Sequence, residues 1–121
     1  MPKTILIAAS DPNITYLLQR YAEASGFQTL RANQDHDLQS LVMRIHPDLI
    51  ILEIELPEAP ARQVLCQLKA DLHTADIPVI VYSCYDEVTC STADGAASCL
   101  QKSALYNDFL VALAQAGVQP A

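Results

Sequence analysis

Pro47-Asp48-Leu49-Ile50-Ile51-Leu52-Glu53-Ile54-Glu55-Leu56-Pro57 is the stretch whose reading decides the fold. It is a run of β-branched and leucine side chains, too short to span a membrane and bounded at both ends by proline. Such a run predicts a strand buried on both faces, the kind found in parallel sheets covered by helices. Glu53 falls at its carboxyl end. In open α/β sheets ligands and chemistry collect outside the carboxyl ends of the strands, so Glu53 is the first candidate site residue. Glu53 and Glu55 alternate along extended chain and point to opposite faces, which makes them a poor acid/base pair.

Working back toward the N-terminus, His46-Pro47 closes a helix, because the residue before proline is pushed out of the helical region. That helix carries Leu38, Leu41, Val42 and Ile45 on one stripe, and Asp35-His36-Asp37 suits its start. Phe27 to Ala32 predicts a short strand before it. Ile5-Leu6-Ile7-Ala8 is another short apolar run, and it stops at Ala9-Ser10-Asp11-Pro12, a capping sequence with proline at the first helical position. Ile14, Leu17, Leu18 and Tyr21 then share a helical face, and Gly26 ends the helix.

Working forward, Pro57-Glu58-Ala59-Pro60 is a loop opening a helix with Val64, Leu65 and Leu68 inward. Asp71 to Asp76 is a polar connection, and Ile77-Pro78-Val79-Ile80-Val81-Tyr82 is a strand ending at Ser83. Cys84 to Asp94 has Val88 as its one large aliphatic and predicts at most a short or irregular helix. Gly95 to Leu100 is a thin last strand. Ser103 is expected to cap a final helix with Tyr106, Phe109, Leu110 and Leu113 inward, closed by Gly117. Strands and helices that alternate in this way predict an α/β parallel sheet with helices on both faces and right-handed crossovers. The strand ends bring Ala9, Ser10, Asp11, Glu53, Ser83 and Lys102 toward one rim.

The chain has 121 residues, 51% of them hydrophobic, enough for one domain with its own core. A formal charge of −7 argues against direct binding to nucleic acid or an anionic membrane, both of which would repel it. The N-terminal apolar run, Ile5 to Ala9, is too short for a signal-peptide core or a span, so the expected location is the cytoplasm. There Cys66, Cys84, Cys90 and Cys99 are reduced thiols by default.

In the order of these motifs, from Lys3-Thr4-Ile5-Leu6-Ile7 through Pro47-Asp48-Leu49-Ile50-Ile51-Leu52, Val64-Leu65-Cys66-Gln67-Leu68-Lys69, Ile77-Pro78-Val79-Ile80-Val81 and Gly95-Ala96 to Lys102, the chain resembles the receiver (CheY-like) domains of two-component response regulators. The resemblance implies a doubly wound, flavodoxin-like five-stranded parallel sheet of order 2-1-3-4-5. It covers residues 1–117, with 118–121 as a C-terminal tail. It also implies a signalling module that is not an enzyme, whose partner is a histidine kinase, an output domain or another regulator, with the chain itself a monomer or weak homodimer.

Receivers accept a phosphoryl group on an aspartate at the end of the third strand, hold Mg²⁺ with an acidic pair after the first, and sense the phosphate with Ser/Thr and Lys. Carried over residue by residue, the acceptor position is Glu53, the acidic-pair positions are Ala9 and Ser10, the hydroxyl is Ser83 and the lysine is Lys102. The last two match and the others depart, so the resemblance is to a degenerate receiver. Mg²⁺ affinity is expected to be weak or absent. The switch aromatic three residues before the lysine is Cys99, the proline after it is Ser103, and the segment after Ser83 is shorter than usual, implying a shortened fourth helix.

The leading expectation is a receiver-like module that works by protein–protein contact, with Tyr85 and Tyr106 on its partner surface and no phosphorylation at Glu53. Glu53 and Lys102 could pair at the rim, either mimicking the switched state or forming a leftover salt bridge. A phosphoacceptor using Glu53, Ser10 or Ser83, with metal held through Asp11, stays open as the alternative. So does a thiol redox sensor, although the chain has no C-x-x-C and small buried hydrophobes are the better reading of Cys84, Cys90 and Cys99. His36, His46 and His73 stand singly and read as surface residues.

Overall fold

The computed structural model describes residues 3–9, 11–32, 38–54, 59–83, 96–101 and 105–118. In chain order these form β1 (Thr4–Ala8), α1 (Pro12–Ala24), β2 (Gln28–Ala32), α2 (Leu38–Ile45), β3 (Leu49–Ile54), α3 (Ala59–Ala70), β4 (Val79–Ser83), β5 (Ser98–Gln101) and α4 (Tyr106–Gln115). The five strands make one parallel sheet of order β2-β1-β3-β4-β5, as expected. The helix expected within 84–94, the helix start at Asp35-His36-Asp37 and the loop at Pro57-Glu58 lie outside the described residues.

Side-chain alternation along the strands divides the core in two. Ile5, Ile7, Leu49, Ile51, Ile80, Tyr82 and Leu100 pack against Leu18 and Ala22 of α1 and Phe109, Ala112 and Leu113 of α4. The intervening residues Leu6, Ile50, Leu52, Val79 and Val81 pack against Leu41 and Val42 of α2 and Leu65 and Leu68 of α3. β3 lies between β1 and β4, and Leu49, Ile50 and Ile51 are wholly buried. Strands buried on both faces need no polar alternation, which explains the continuous apolar run.

Local chemistry sets the element ends. Asp11 is the N-cap of α1, its Oδ1 accepting from the Asn13 N–H at 2.8 Å, with Pro12 in the first turn. α1 closes through Ser25 and Gly26 at φ 88°, with the Phe27 N–H on the Ala22 carbonyl and the Gly26 N–H on the Glu23 carbonyl. α4 ends the same way at Gly117, φ 77°, with the Val118 N–H on Leu113 and the Gly117 N–H on Ala114. This pair of reverse bonds satisfies carbonyls that a helix end leaves open.

Several expectations need correction. The buried face of α1 is Thr15, Leu18 and Ala22, while Leu17 is 36% exposed. The Thr15 hydroxyl is satisfied by the Asp11 carbonyl at 3.0 Å, so a polar residue serves where an apolar one was expected. The N-cap of α4 is Leu105, whose N–H donates to Asp108 Oδ2 at 2.8 Å; the acid in the first turn does the work assigned to Ser103, which lies outside the described residues. β4 begins at Val79, after Pro78, and β5 at Ser98. Val118, placed in the tail by sequence, is buried in the α1/α4 layer. His46 does end α2, in the left-handed region at φ 52°.

Candidate functional site

The carboxyl ends of β1, β3, β4 and β5 form one rim. The register pairs Ala8 with Leu52, Glu53 with Tyr82, Ile54 with Ser83, and Ser83 with Gln101. Glu53 thus stands at the tip of the central strand, one residue beyond the last β1 pair, with Ala9 of β1's exit at the same level. It alternates with Ile51 and so belongs to the α1/α4 face, the face on which Ala9 also packs. Glu53 is 8% exposed, and Tyr82, its register partner, is 4% exposed. A carboxylate this deeply drawn in loses most of its hydration and depends on polar neighbours for stabilisation; both Glu53 and Tyr82 do make polar or ring interactions.

At the exit of β1, Asp11 is committed to helix capping. Its carbonyl accepts from the Thr15 N–H at 2.9 Å and from the Thr15 hydroxyl, which also lies 3.4 Å from the Ala9 carbonyl. Thr15 therefore ties the β1–α1 turn at the rim. Sequence reading missed it because it searched for apolar residues at helical spacing, although a threonine four residues after a cap is a known back-bonding arrangement.

The structure brings Glu53, Ala9, Asp11 and the backbone of Ser83 to this rim, with Cys99 on β5. Cys99 is half-buried and packs against the α2/α3 layer, whereas Cys66 on α3 is exposed. Ser10, Lys102, Tyr85, Cys84 and Cys90 lie outside the described residues, so the Glu53–Lys102 pair does too. Tyr106 is half-buried rather than open. Its hydroxyl lies 2.9 Å from Ser25 Oγ, and its ring sits 5.6 Å from that of Tyr21 and 6.5 Å from that of Phe109. Among the described residues no group of three or more His, Cys, Asp or Glu is arranged to hold a metal ion, and no helix is long and apolar enough to cross a membrane.

A parallel sheet of this order, with a carboxylate at the tip of its central strand, defines a doubly wound α/β protein whose working rim is the carboxyl end of the sheet. No family model matches the chain. The polar-differentiation response regulator DivK of Brucella ovis is 33% identical over 85 residues, covering 70% of this chain and 69% of that protein. The signal receiver domain of a histidine kinase from Syntrophus aciditrophicus superposes with a TM-score of 0.81 at 23% identity, over 98% of this chain and 94% of that one. A response regulator from Thermotoga maritima gives a TM-score of 0.81 at 16% identity, over 96% and 98% of the two chains. The chain belongs to the response-regulator receiver family of two-component signalling.

Proposed function

We propose that this receiver acts by binding another signalling protein and does not accept a phosphoryl group at Glu53. The observation that carries the reading is the tip of β3, where a glutamate 8% exposed stands beside an alanine, Ala9, at the exit of β1. Glutamate is longer than aspartate by one carbon–carbon bond, about 1.5 Å. A displacement of about 1 Å costs on the order of 100-fold in a positioned reaction.

The donor set does not suit Mg²⁺, which demands near-octahedral oxygen coordination and is usually held by one or two carboxylates. The Ala9 side chain supplies no oxygen, and the Asp11 carboxylate caps α1. Without a divalent cation, the metal's share of the charge compensation on a transferring phosphoryl group is missing. The module so described is a non-enzymatic cytoplasmic binding domain. Its partner is a kinase, output domain or regulator, met in part by Tyr85 and the outer side of α4, where Leu105 and Val111 are exposed.

The test is a backbone amide NMR titration with Mg²⁺ and then beryllofluoride, which stands in for a bound phosphoryl group. The expected spectrum is unchanged. Shifts at Glu53, Ser83 and Lys102 that spread into α4 would overturn the reading in favour of a working acceptor. Glu53→Gln separates the two remaining roles of this carboxylate: weakened partner binding marks a mimic of the switched state, and unchanged binding a rim carboxylate without a signalling part.

A further inference from the structure

We propose that the outer edge of β2 is a self-association surface, where two copies of the chain pair their β2 strands antiparallel about a two-fold axis and join their sheets into one. β2 is the terminal strand of the sheet, and Gln28, Leu30 and Arg31 are exposed along it. The features that usually blunt such an edge are proline, a bulge, or a charge standing over it. β2 has no proline and keeps a continuous register with β1, from Thr4 and Gln28 to Ala8 and Ala32. Its one charged residue, Arg31, is held on the α1 face of the strand, where Nε and Nη2 donate to Gln19 Oε1, and so leaves the opposite face, which carries Leu30, without a charge.

Two observations select a second copy as the occupant, in one register. Leu30 is the central residue of β2 and is 42% exposed. A two-fold axis through it places Leu30 against Leu30 of the other copy, so that each covers the other. The same axis sets Arg31 of one copy opposite Thr29 of the other. Thr29 lines a groove with Gln19, Glu23, Phe27 and Gln28. One helical turn from Gln19 to Glu23 is about 6 Å, and two strand residues from Arg31 to Thr29 are about 6.6 Å. Within one chain Arg31 is level with Gln19, so the incoming Arg31 is level with Glu23, which is exposed. Arginine has five N–H donors and needs two for Gln19, leaving donors for that carboxylate. Two Arg31–Glu23 contacts, related by symmetry, lie on the α1 face of the joined sheet, and the Leu30 pair on the opposite face. The surface is small, so the dimer is weak and concentration-dependent.

The experiment is sedimentation velocity over roughly 20 µM to 1 mM, a range suited to a small interface. Wild type is expected to shift from monomer to dimer across that range. Leu30→Lys puts like charges opposite each other at the axis and abolishes the dimer while thermal unfolding by circular dichroism stays cooperative. Arg31→Glu and Glu23→Arg each weaken association at least tenfold, and the double variant restores it. Wild type that stays monomeric throughout overturns the proposal, as does a dimer that Leu30→Lys leaves intact. If Leu30→Lys does not fold, the charge exchange decides alone: restoration in the double variant upholds the pairing, and its failure overturns it.

Discussion

Gly117 sits at φ 77° with open space where a Cβ would be, so the backbone angle alone decides its replacement. Gly117→Ala is expected to cost about 1 kcal/mol, measured as a lower urea midpoint with an unchanged slope. Lys69 is a second residue with a single-site consequence. Its amine donates to the Ile77 carbonyl at 2.6 Å and the Ala75 carbonyl at 3.3 Å, across the connection between α3 and β4. Burial holds its pKa below 10.5, and the Asp76 carboxylate offsets this in part. The unfolded chain therefore binds more protons between that lowered value and 10.5, and stability attributable to Lys69 rises with pH across that window. Lys69→Met loses both bonds, a cost of about 1 kcal/mol near neutrality. Urea midpoints at neutral and alkaline pH should show the gap between wild type and variant widening as pH rises; a gap that narrows would contradict this account.

At the scale of elements, α4 is held from two sides. Phe109 is wholly buried, and its ring lies 5.8 Å from that of Tyr21 on α1. Ser98 of β5 donates its hydroxyl to the Ala112 carbonyl at 2.9 Å. Phe109→Ala is expected to remove about 3–5 kcal/mol, enough to unfold a domain of ordinary stability near its growth temperature. Tyr106→Phe removes the bond to Ser25 alone and should cost about 1 kcal/mol, leaving the ring packing in place. Denaturant unfolding that ranks the two substitutions in the opposite order would mean that the hydroxyl pair, not the aromatic packing, holds α4 to α1. Element types were legible here because apolar spacing is a direct record of burial. Element ends were not. Leu105 carries no capping oxygen, and the signal that starts α4 is the carboxylate of Asp108 one turn later. His46 at φ 52° obeys the proline that follows by leaving the helical region, but does so on the less common side. At the rim, the place of Glu53 followed from β3 alone, whereas the role of Thr15 depends on a hydroxyl-to-carbonyl bond that periodicity does not record.

The whole molecule has its sheet order written in its connections, since every strand neighbour is reached by a crossover and none by a hairpin. That order also sets the sequence in which pairing becomes possible during synthesis. β1 is made first but ends as an interior strand, paired with β2 and then, once α1, β2 and α2 have been made, with β3. β4 arrives later and closes the far side of β3. Until it does, the nascent chain exposes one edge of Leu49-Ile50-Ile51-Leu52-Glu53-Ile54, a segment with the composition that seeds intermolecular β-stacking. Within that strand one residue carries charge. Glu53 thus stands where a gatekeeper charge would, and Glu53→Leu is expected to raise the insoluble fraction of newly made chain, read as the pellet-to-supernatant ratio after expression.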